Sequence, residues 1–315
     1  MTANGGPEVL ELQDVPEPQA GDGELLVAVD AAGVNFRDIY EREGAYGAPP
    51  PAVAGVEGAG TVVEVGPGVT GLAAGDRVAW KNAAASYAER VVVPVGEALP
   101  VPDGLGSELA AAAPLQGLTA HYLATTTYPV QDGDTVVVHA AAGGVGSLLT
   151  QVVKLRGGTV IATASTDEKR ERAREAGADH AIGYEDFAER ARELTGGEGV
   201  AAVYDGVGRA TFDESLRALR RRGFMVLYGS ASGRVEPFDP MRLEHEGSLF
   251  LTRPTLRHYA SARTELLERS RELFEWIADR RLRLTIGGRY PLEQGRRAQE
   301  DLQGRATIGK LILTP

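Results

Sequence analysis

The 315-residue chain has no cysteine, which excludes disulfides, thiolate nucleophiles and cysteine-ligated zinc outright. It has no run approaching the roughly eighteen apolar residues a membrane span needs. Its start, MTANGGPEVL, lacks both the basic residues and the apolar centre of a secretory signal. The expectation is a cytoplasmic protein with no membrane partner. Basic residues are outnumbered, 33 Lys and Arg against 44 Asp and Glu, and a net charge of −11 disfavours nucleic acid and anionic lipid as partners. The local clusters Arg220, Arg221, Arg222 and Arg280, Arg281, Arg283 read as solvated helix ends.

Two catalytic classes are also missing. The five histidines, His121, His139, His180, His245 and His258, form no i, i+4 pair and no carboxylate-assisted ligand pattern, so no metal site is expected. His139, at a strand end, reads as a core or supporting group. Gly229, Ser230, Ala231, Ser232 and Gly233 put alanine where a G-x-S-x-G elbow needs its serine. What remains is chemistry carried by a bound cofactor.

The stretch that is present and informative is TVVVHAAAGGVGSLLTQVVK, Thr135 to Lys154. Thr135 to His139 is short, apolar and β-branched, as in a strand buried on both faces of a parallel sheet. Ala140 to Gly146 is a turn with one bulky side chain, Val145, and beyond it Leu148, Leu149, Val152, Val153 and Leu155 recur at helical spacing. Strand, bare turn and helix is the order a dinucleotide diphosphate needs, because the backbone can approach closely and the helix end offers free N–H groups. Ala141 stands where G-x-G-x-x-G has its first glycine, so the motif alone also fits a plain turn. The strand and helix alternation around it favours the cradle.

The length allows roughly two domains. From Val9 to about Val93 the chain reads as short strands, Leu25 to Val29, Gly60 to Val65, Arg77 to Trp80 and Glu89 to Val93, broken by Gly and Pro. Asn35, Asp38, Tyr40 and Tyr46 crowd one loop and short helix, which reads either as an N-cap with surface tyrosines or as the wall of a substrate pocket. A boundary is expected near Pro114, with a helix from Gln116 to about Ala124. After the cradle come strands at Thr159 to Thr163, His180 to Ile182, Ala201 to Tyr204, Gly223 to Tyr228 and Leu249 to Thr252. Between them lie helices at Asp167 to Ala176, Phe187 to Leu194 and Thr211 to Leu219, which makes a doubly wound parallel sheet. A helix follows over Ser261 to Ala278, then β-like segments at Arg283 to Ile286 and Lys310 to Leu313 around a polar helix, Gly295 to Leu302.

An NAD-type site places a carboxylate at the tip of the second strand. Here the tip is Thr163, Ala164, Ser165, Thr166, with Lys169 one turn into the next helix. Hydroxyls and an ammonium would attract a 2′-phosphate, so NADPH is expected over NADH. The competing reading makes Ser165 a plain cap and Lys169 a solvated lysine.

Ten stretches in order, among them AAGVNFRDIYEREGAY at Ala31, GVEGAGTVVEVGPGV at Gly55, LQGLTAHYL at Leu115, HAAAGGVGSLLTQVVK at His139, YDGVGRATFDESL at Tyr204 and GRATIGKLIL at Gly304, resemble the zinc-free, ζ-crystallin-like quinone oxidoreductases of the medium-chain dehydrogenase/reductase superfamily. The resemblance implies an α/β fold in which a Rossmann domain, 114–255, is inserted into a GroES-like β-rich domain, 1–113 and 256–315. It implies NADPH-dependent reduction of quinones, with zinc-free enoyl or 2-alkenal reductase activity as the alternative and a non-catalytic coenzyme-binding role behind both. Carried over by motif, Asn35, Asp38, Tyr40 and Tyr46 face nicotinamide and substrate, with Asn35 also a coenzyme contact. Thr119, Gly143, Gly144, Val145 and Gly146 take the diphosphate side, and Ser165, Lys169 and Tyr184 the adenosine phosphate. Tyr228, Gly229, Ser230, Leu251, Thr252, Arg253 and Arg305 supply the remaining contacts. Val56 occupies the place of the metal-binding histidine of zinc-dependent relatives, and Gly206 stands where relatives often have serine. A homodimer joined at the edge formed by Gly247 to Arg253 is implied as well.

Overall fold

The computed structural model describes residues 1–45, 47, 49–304 and 307–315. In chain order the strands are β1 (Glu24–Val34), β2 (Glu57–Val65), β3 (Arg77–Trp80), β4 (Arg90–Pro94), β5 (Leu99–Pro100), β6 (Thr135–Val138), β7 (Thr159–Thr163), β8 (His180–Ile182), β9 (Val200–Asp205), β10 (Leu219–Leu227), β11 (Phe250–Thr252), β12 (Ile286–Pro291) and β13 (Lys310–Thr314). The helices are α1 (Phe36–Arg42), α2 (Ser107–Ala112), α3 (Pro114–Tyr122), α4 (Gly144–Leu155), α5 (Asp167–Glu175), α6 (Phe187–Leu194), α7 (Phe212–Ala218), α8 (Met241–His245), α9 (Leu256–Tyr259), α10 (Arg263–Ala278) and α11 (Gly295–Gln303). The chain divides into two units: Met1–Leu115 with Ser270–Arg280 and Leu284–Pro315, and Gln116–Arg269 with Arg281–Arg283.

In the first unit β1 is the hub. It pairs antiparallel with β2, β4 and β13, within a sheet ordered β12-β13-β1-β2-β3-β5. Serving three partners takes a bent strand, and the β1–β2 register shifts at Leu26/Val27 and again at Val29/Ala31. Burial on both faces explains why β1 is apolar almost throughout rather than alternating. Its side chains join Trp80, Val91, Val93, Leu311 and Leu313 in one core. Trp80 is fully buried, and its indole N–H donates to Ser86 Oγ at 2.8 Å.

The segment expected at Arg283 to Ile286 forms its strand later, at Ile286–Pro291, parallel to β13. Arg283 is held elsewhere, since its N–H donates to Gln151 Oε1 at 2.7 Å and its carbonyl accepts from Gln151 Nε2 at 2.9 Å. The helix expected from Gln116 to Ala124 starts two residues earlier, at Pro114, and widens into a π segment, Leu123–Thr127. Helix α2 was hidden in an alanine run without apolar periodicity.

The second unit is a parallel sheet ordered β11-β10-β9-β6-β7-β8, with Val137, Ile161, Val203 and Met225 packed against Phe187, Phe212 and Leu216. Residues 256–269 pack with this unit. Arg269 donates to Tyr259 O, Thr126 Oγ1 and Glu265 Oε1, and Tyr259 stacks on Tyr122 with centroids 4.5 Å apart.

Gly60, opposite the β1 irregularity, has no room for a side chain, because a Cβ there would lie 2.0 Å from the Ala28 carbonyl oxygen. Gly68 has φ +76 and open space around it, so alanine there costs only backbone strain, about 1–2 kcal/mol. Gly60→Ala is expected to lower the free energy of unfolding in urea by about 2–3 kcal/mol, clearly more than Gly68→Ala. Equal losses would contradict the close approach of β1 to β2.

Candidate active site

Ligands of open parallel sheets bind beyond the carboxyl ends of the strands, where strand order reverses. In the second unit the reversal lies between β6 and β9, since β7 and β8 extend to one side and β10 and β11 to the other. The glycine turn leaves β6 at that point. Ala140 adopts φ +50, and its N–H donates to the Tyr184 hydroxyl at 3.0 Å. Gly143 is the N-cap of α4, and Ser147 is the first residue whose N–H returns to it, at 2.9 Å. The N–H groups of Gly144, Val145 and Gly146 therefore have no acceptor inside the helix. A Cβ on Gly146 would meet Ala140 O at 2.4 Å, and one on Gly144 would meet Gln116 Oε1 at 2.0 Å. Bare backbone with unspent donors at a positive helix end fits a diphosphate.

At the tip of β7, Thr166 caps α5 by accepting the Lys169 N–H at 3.2 Å, which leaves Ser165 exposed and outside the cap. Asp167 pairs with Arg170 and Glu168 with Arg172. Both nearby carboxylates are thus engaged by arginines, and Lys169 forms no ion pair among the described residues. Those donors fit a 2′-phosphate better than a ribose hydroxyl.

Beyond β9 and β10, the Tyr228 and Gly229 N–H groups both donate to Asp205 O, at 2.8 and 3.2 Å. Arg253 Nη1 donates to Tyr228 O at 2.8 Å, tying the end of β11 to the same edge. Ser230, Leu251, Thr252 and, on α3, Thr119 are half-buried. A Cβ on Gly206 would lie 2.8 Å from the Tyr228 ring, so glycine rather than serine stands there because Tyr228 fills the space. Burial raises the Tyr228 phenol, and Asp205 adds to the effect.

Asp205 is the group that sequence reasoning missed. It is fully buried, its Oδ1 accepts from the Val207 and Gly208 N–H groups at 2.7 and 2.9 Å, and its Oδ2 accepts from Thr211 Oγ1 at 2.8 Å. His139 lies between Thr163 Oγ1, 2.7 Å, and Ser215 Oγ, 2.9 Å. Burial drives its imidazole down to about 4, against the opposing pull of Asp205. It is a neutral supporting group for the loops after β6, β7 and β9.

The first unit holds a second polar cluster. Asn35 caps α1. Its N–H donates to Asp38 Oδ2 at 2.8 Å, and the same oxygen accepts the Tyr87 hydroxyl at 2.9 Å. Asp38 is 1 % exposed, so its carboxyl faces inward, and burial raises it to about 7 despite these bonds. Asn35 Nδ2 donates to Glu57 Oε2 at 2.8 Å, and Lys310 Nζ donates to Asn35 Oδ1 at 2.6 Å while pairing with Glu57. Glu57 Oε1 accepts the Leu115 N–H at 2.5 Å. Tyr40 is half-buried beside Phe36. Tyr46 and Arg305 lie outside the described residues. The only sequence signals for Glu57 and Lys310 were single charges inside apolar runs.

A six-stranded parallel sheet with a bare glycine cradle, in a chain that also carries a GroES-like unit, defines a nicotinamide-dependent dehydrogenase or reductase. Residues 21–103 match the alcohol dehydrogenase GroES-like domain and 144–279 the zinc-binding dehydrogenase domain. Among the described residues, however, no three His, Asp or Glu side chains stand close enough to hold a metal ion. Quinone oxidoreductase 1 of Escherichia coli is 41% identical over 320 residues, covering 99% of this chain and 97% of the relative. A crystal structure of Escherichia coli quinone oxidoreductase complexed with NADPH superposes with a TM-score of 0.95 at 40% identity, covering 100% of this chain and 98% of that one. A mycobacterial quinone oxidoreductase gives 0.94 at 50% identity with the same coverage. A 2-haloacrylate reductase from Burkholderia sp. is 40% identical over 321 residues, 99% of this chain and 96% of the relative. The chain belongs to the quinone oxidoreductase family of the medium-chain dehydrogenase/reductases.

The His139 shift predicts a pH dependence. Unfolded, the imidazole takes up its proton near pH 6.5, whereas folded it resists down to about 4. Its contribution to stability is therefore present above pH 6.5 and is lost as pH falls toward 4, by up to roughly 3 kcal/mol. In His139→Gln the difference between urea midpoints at pH 7 and pH 4.5 should shrink. An unchanged difference would show that other groups carry the acid sensitivity.

Proposed function

We propose that this chain is an NADPH-dependent quinone oxidoreductase that works without a metal. The observation that carries the reading is the tip of β7, where Ser165 stands with Lys169, whose ammonium forms no ion pair among the described residues, and where both carboxylates of the following turn are committed to arginines. NADPH, when bound, supplies a hydride with its electron pair. The protein's own part is to hold and orient. The N–H groups of Gly144, Val145 and Gly146 take the diphosphate, Ser165, Lys169 and Tyr184 take the adenosine phosphate, and Tyr228, Gly229, Ser230, Thr252 and Arg253 border the rest. Asn35, Tyr40 and Tyr46 serve the nicotinamide and acceptor, while Asp38, buried, holds the cap of α1 through the Asn35 N–H. A cytoplasmic setting goes with this reading, since it draws on the NADPH pool, and no described helix is long and apolar enough to cross a membrane.

The enone-reducing alternative shares the coenzyme and differs in acceptor. Following NADPH oxidation with a quinone panel beside a panel of enones should give turnover chiefly with quinones, and preference for enones would reverse the assignment. Lys169→Ala should cut the preference for NADPH over NADH roughly tenfold. An unaltered ratio of the two dissociation constants would place the 2′-phosphate elsewhere.

We also propose a homodimer joined through β11. This strand pairs with β10 on one side, and Phe250 is 52 % exposed, stacked on Phe224 at 4.6 Å. An uncovered edge of this kind is a template for a second strand. Phe250→Asp should give a monomer by sedimentation velocity, and a dimer that survives would put the interface on another face.

A further inference from the structure

Arg170 sits where helix stability alone would not put a cation. Thr166 caps α5, so Lys169 and Arg170 both fall among its opening residues, at the end where the macrodipole is positive and a second positive charge is disfavoured. Glu168, which could offset them, is paired with Arg172, and Asp167 alone answers Arg170. The Arg170 guanidinium folds back over the start of the helix. Its Nη1 donates to Ala164 O at 3.2 Å and its Nη2 to Asp167 Oδ1. A Cβ on Gly183 would lie 3.9 Å from the same Nη1, so the guanidinium rests against the tips of both β7 and β8. Those tips are tied together, because the Ala164 N–H donates to Ile182 O at 3.1 Å. Ala164 precedes Ser165 and Gly183 precedes Tyr184, so Arg170 stands between the segments that carry two of the phosphate contacts proposed above. A guanidinium has five N–H donors, and these two bonds leave Nε and one hydrogen on each terminal nitrogen. The Asp167 side chain is 98 % exposed against 23 % for Arg170. The tie between them is thus a solvated and weak one, whereas the strand tips hold the arginine in place.

We propose that Arg170 is a coenzyme ligand that grips the 2′-phosphate alongside Lys169 and so sets the preference for NADPH, with Asp167 as the internal anion that competes for the same guanidinium. This rests on the coenzyme reading above. The phosphate brings the negative charge that the opening of α5 is short of, and a planar guanidinium can take two of its oxygens at once, which an ammonium does not. NADH carries a hydroxyl at that position and no anion, so it leaves the pairing of Asp167 with Arg170 as it is.

The test is a set of binding titrations with no turnover needed, read by calorimetry with NADPH, NADH and adenosine 2′,5′-bisphosphate, which carries the phosphate without the nicotinamide. Arg170→Met keeps the length of the stem and removes the charge. It should weaken NADPH and the bisphosphate about tenfold each, the worth of one charge-assisted hydrogen bond, and leave NADH within about twofold. Arg170→Lys, with the charge but not the fork, should recover part of the loss. Asp167→Asn should tighten NADPH and the bisphosphate but not NADH, and that gain should shrink when Arg170→Met is added, because the competitor then has nothing to compete for. A merely structural arginine predicts neither the gain nor its dependence on position 170. Equal losses of NADPH and NADH in Arg170→Met would make the residue a brace for the strand tips, and an unchanged ratio of the two would free it of any part in the choice. Either result overturns the proposal while NADPH binding stands. A wild type that binds neither NADPH nor the bisphosphate, or that prefers NADH, would remove the coenzyme reading and the role of Arg170 together.

Discussion

A carboxylate with no exposed surface has to be matched in charge and in hydrogen bonds, or the fold bears a cost of several kcal/mol. Glu57 meets that demand with three segments far apart in sequence: the cap of α1 through Asn35, the last strand through Lys310, and the start of α3 through the Leu115 N–H. The same constraint explains why Gly33 is bare, since a Cβ there would lie 2.4 Å from Glu57 Oε2, and why Lys310 interrupts an apolar strand. Neutralising one buried charge thereby organises the polar heart of the first unit.

The second unit solves a different problem, which is to present backbone to an anion. Bulky side chains are absent from the turn after β6, and the groups that hold its shape lie behind it: the Tyr184 hydroxyl on Ala140, the Gln116 amide against Gly144, and the buried chain from Thr163 through His139 and Ser215 to Asp205. Keeping His139 uncharged is part of this, because an imidazolium would need a partner that Thr163 and Ser215 cannot supply. Asp205, in turn, spends both oxygens on the loop that leads to α7.

Much of the parallel sheet was legible from residues alone, because strands buried on both faces read as β-branched runs and the helices between them carry caps and charged faces. β7, β8 and α6 fall on the expected residues. The misses have physical causes. α2 is an alanine run with no periodicity, and β12 begins after Arg283 because Gln151 claims that residue's backbone. Of the polar groups, Asn35 and Asp38 stood out by crowding, whereas Glu57, Tyr87 and Lys310 gain meaning only from partners 22 to 275 residues distant. No local pattern encodes a contact of that span.

The hub position of β1 sets an order of events during synthesis. Its partner β13, Lys310–Thr314, follows every strand of the parallel sheet in the chain. The nucleotide-binding half can be assembled while the opening hundred residues still wait, one flank of β1 bare and Glu57 without its countercharge. Completion of the first unit is thus timed by the emergence of β13, and a nascent chain stalled before that strand would carry a finished coenzyme cradle and an incomplete first unit.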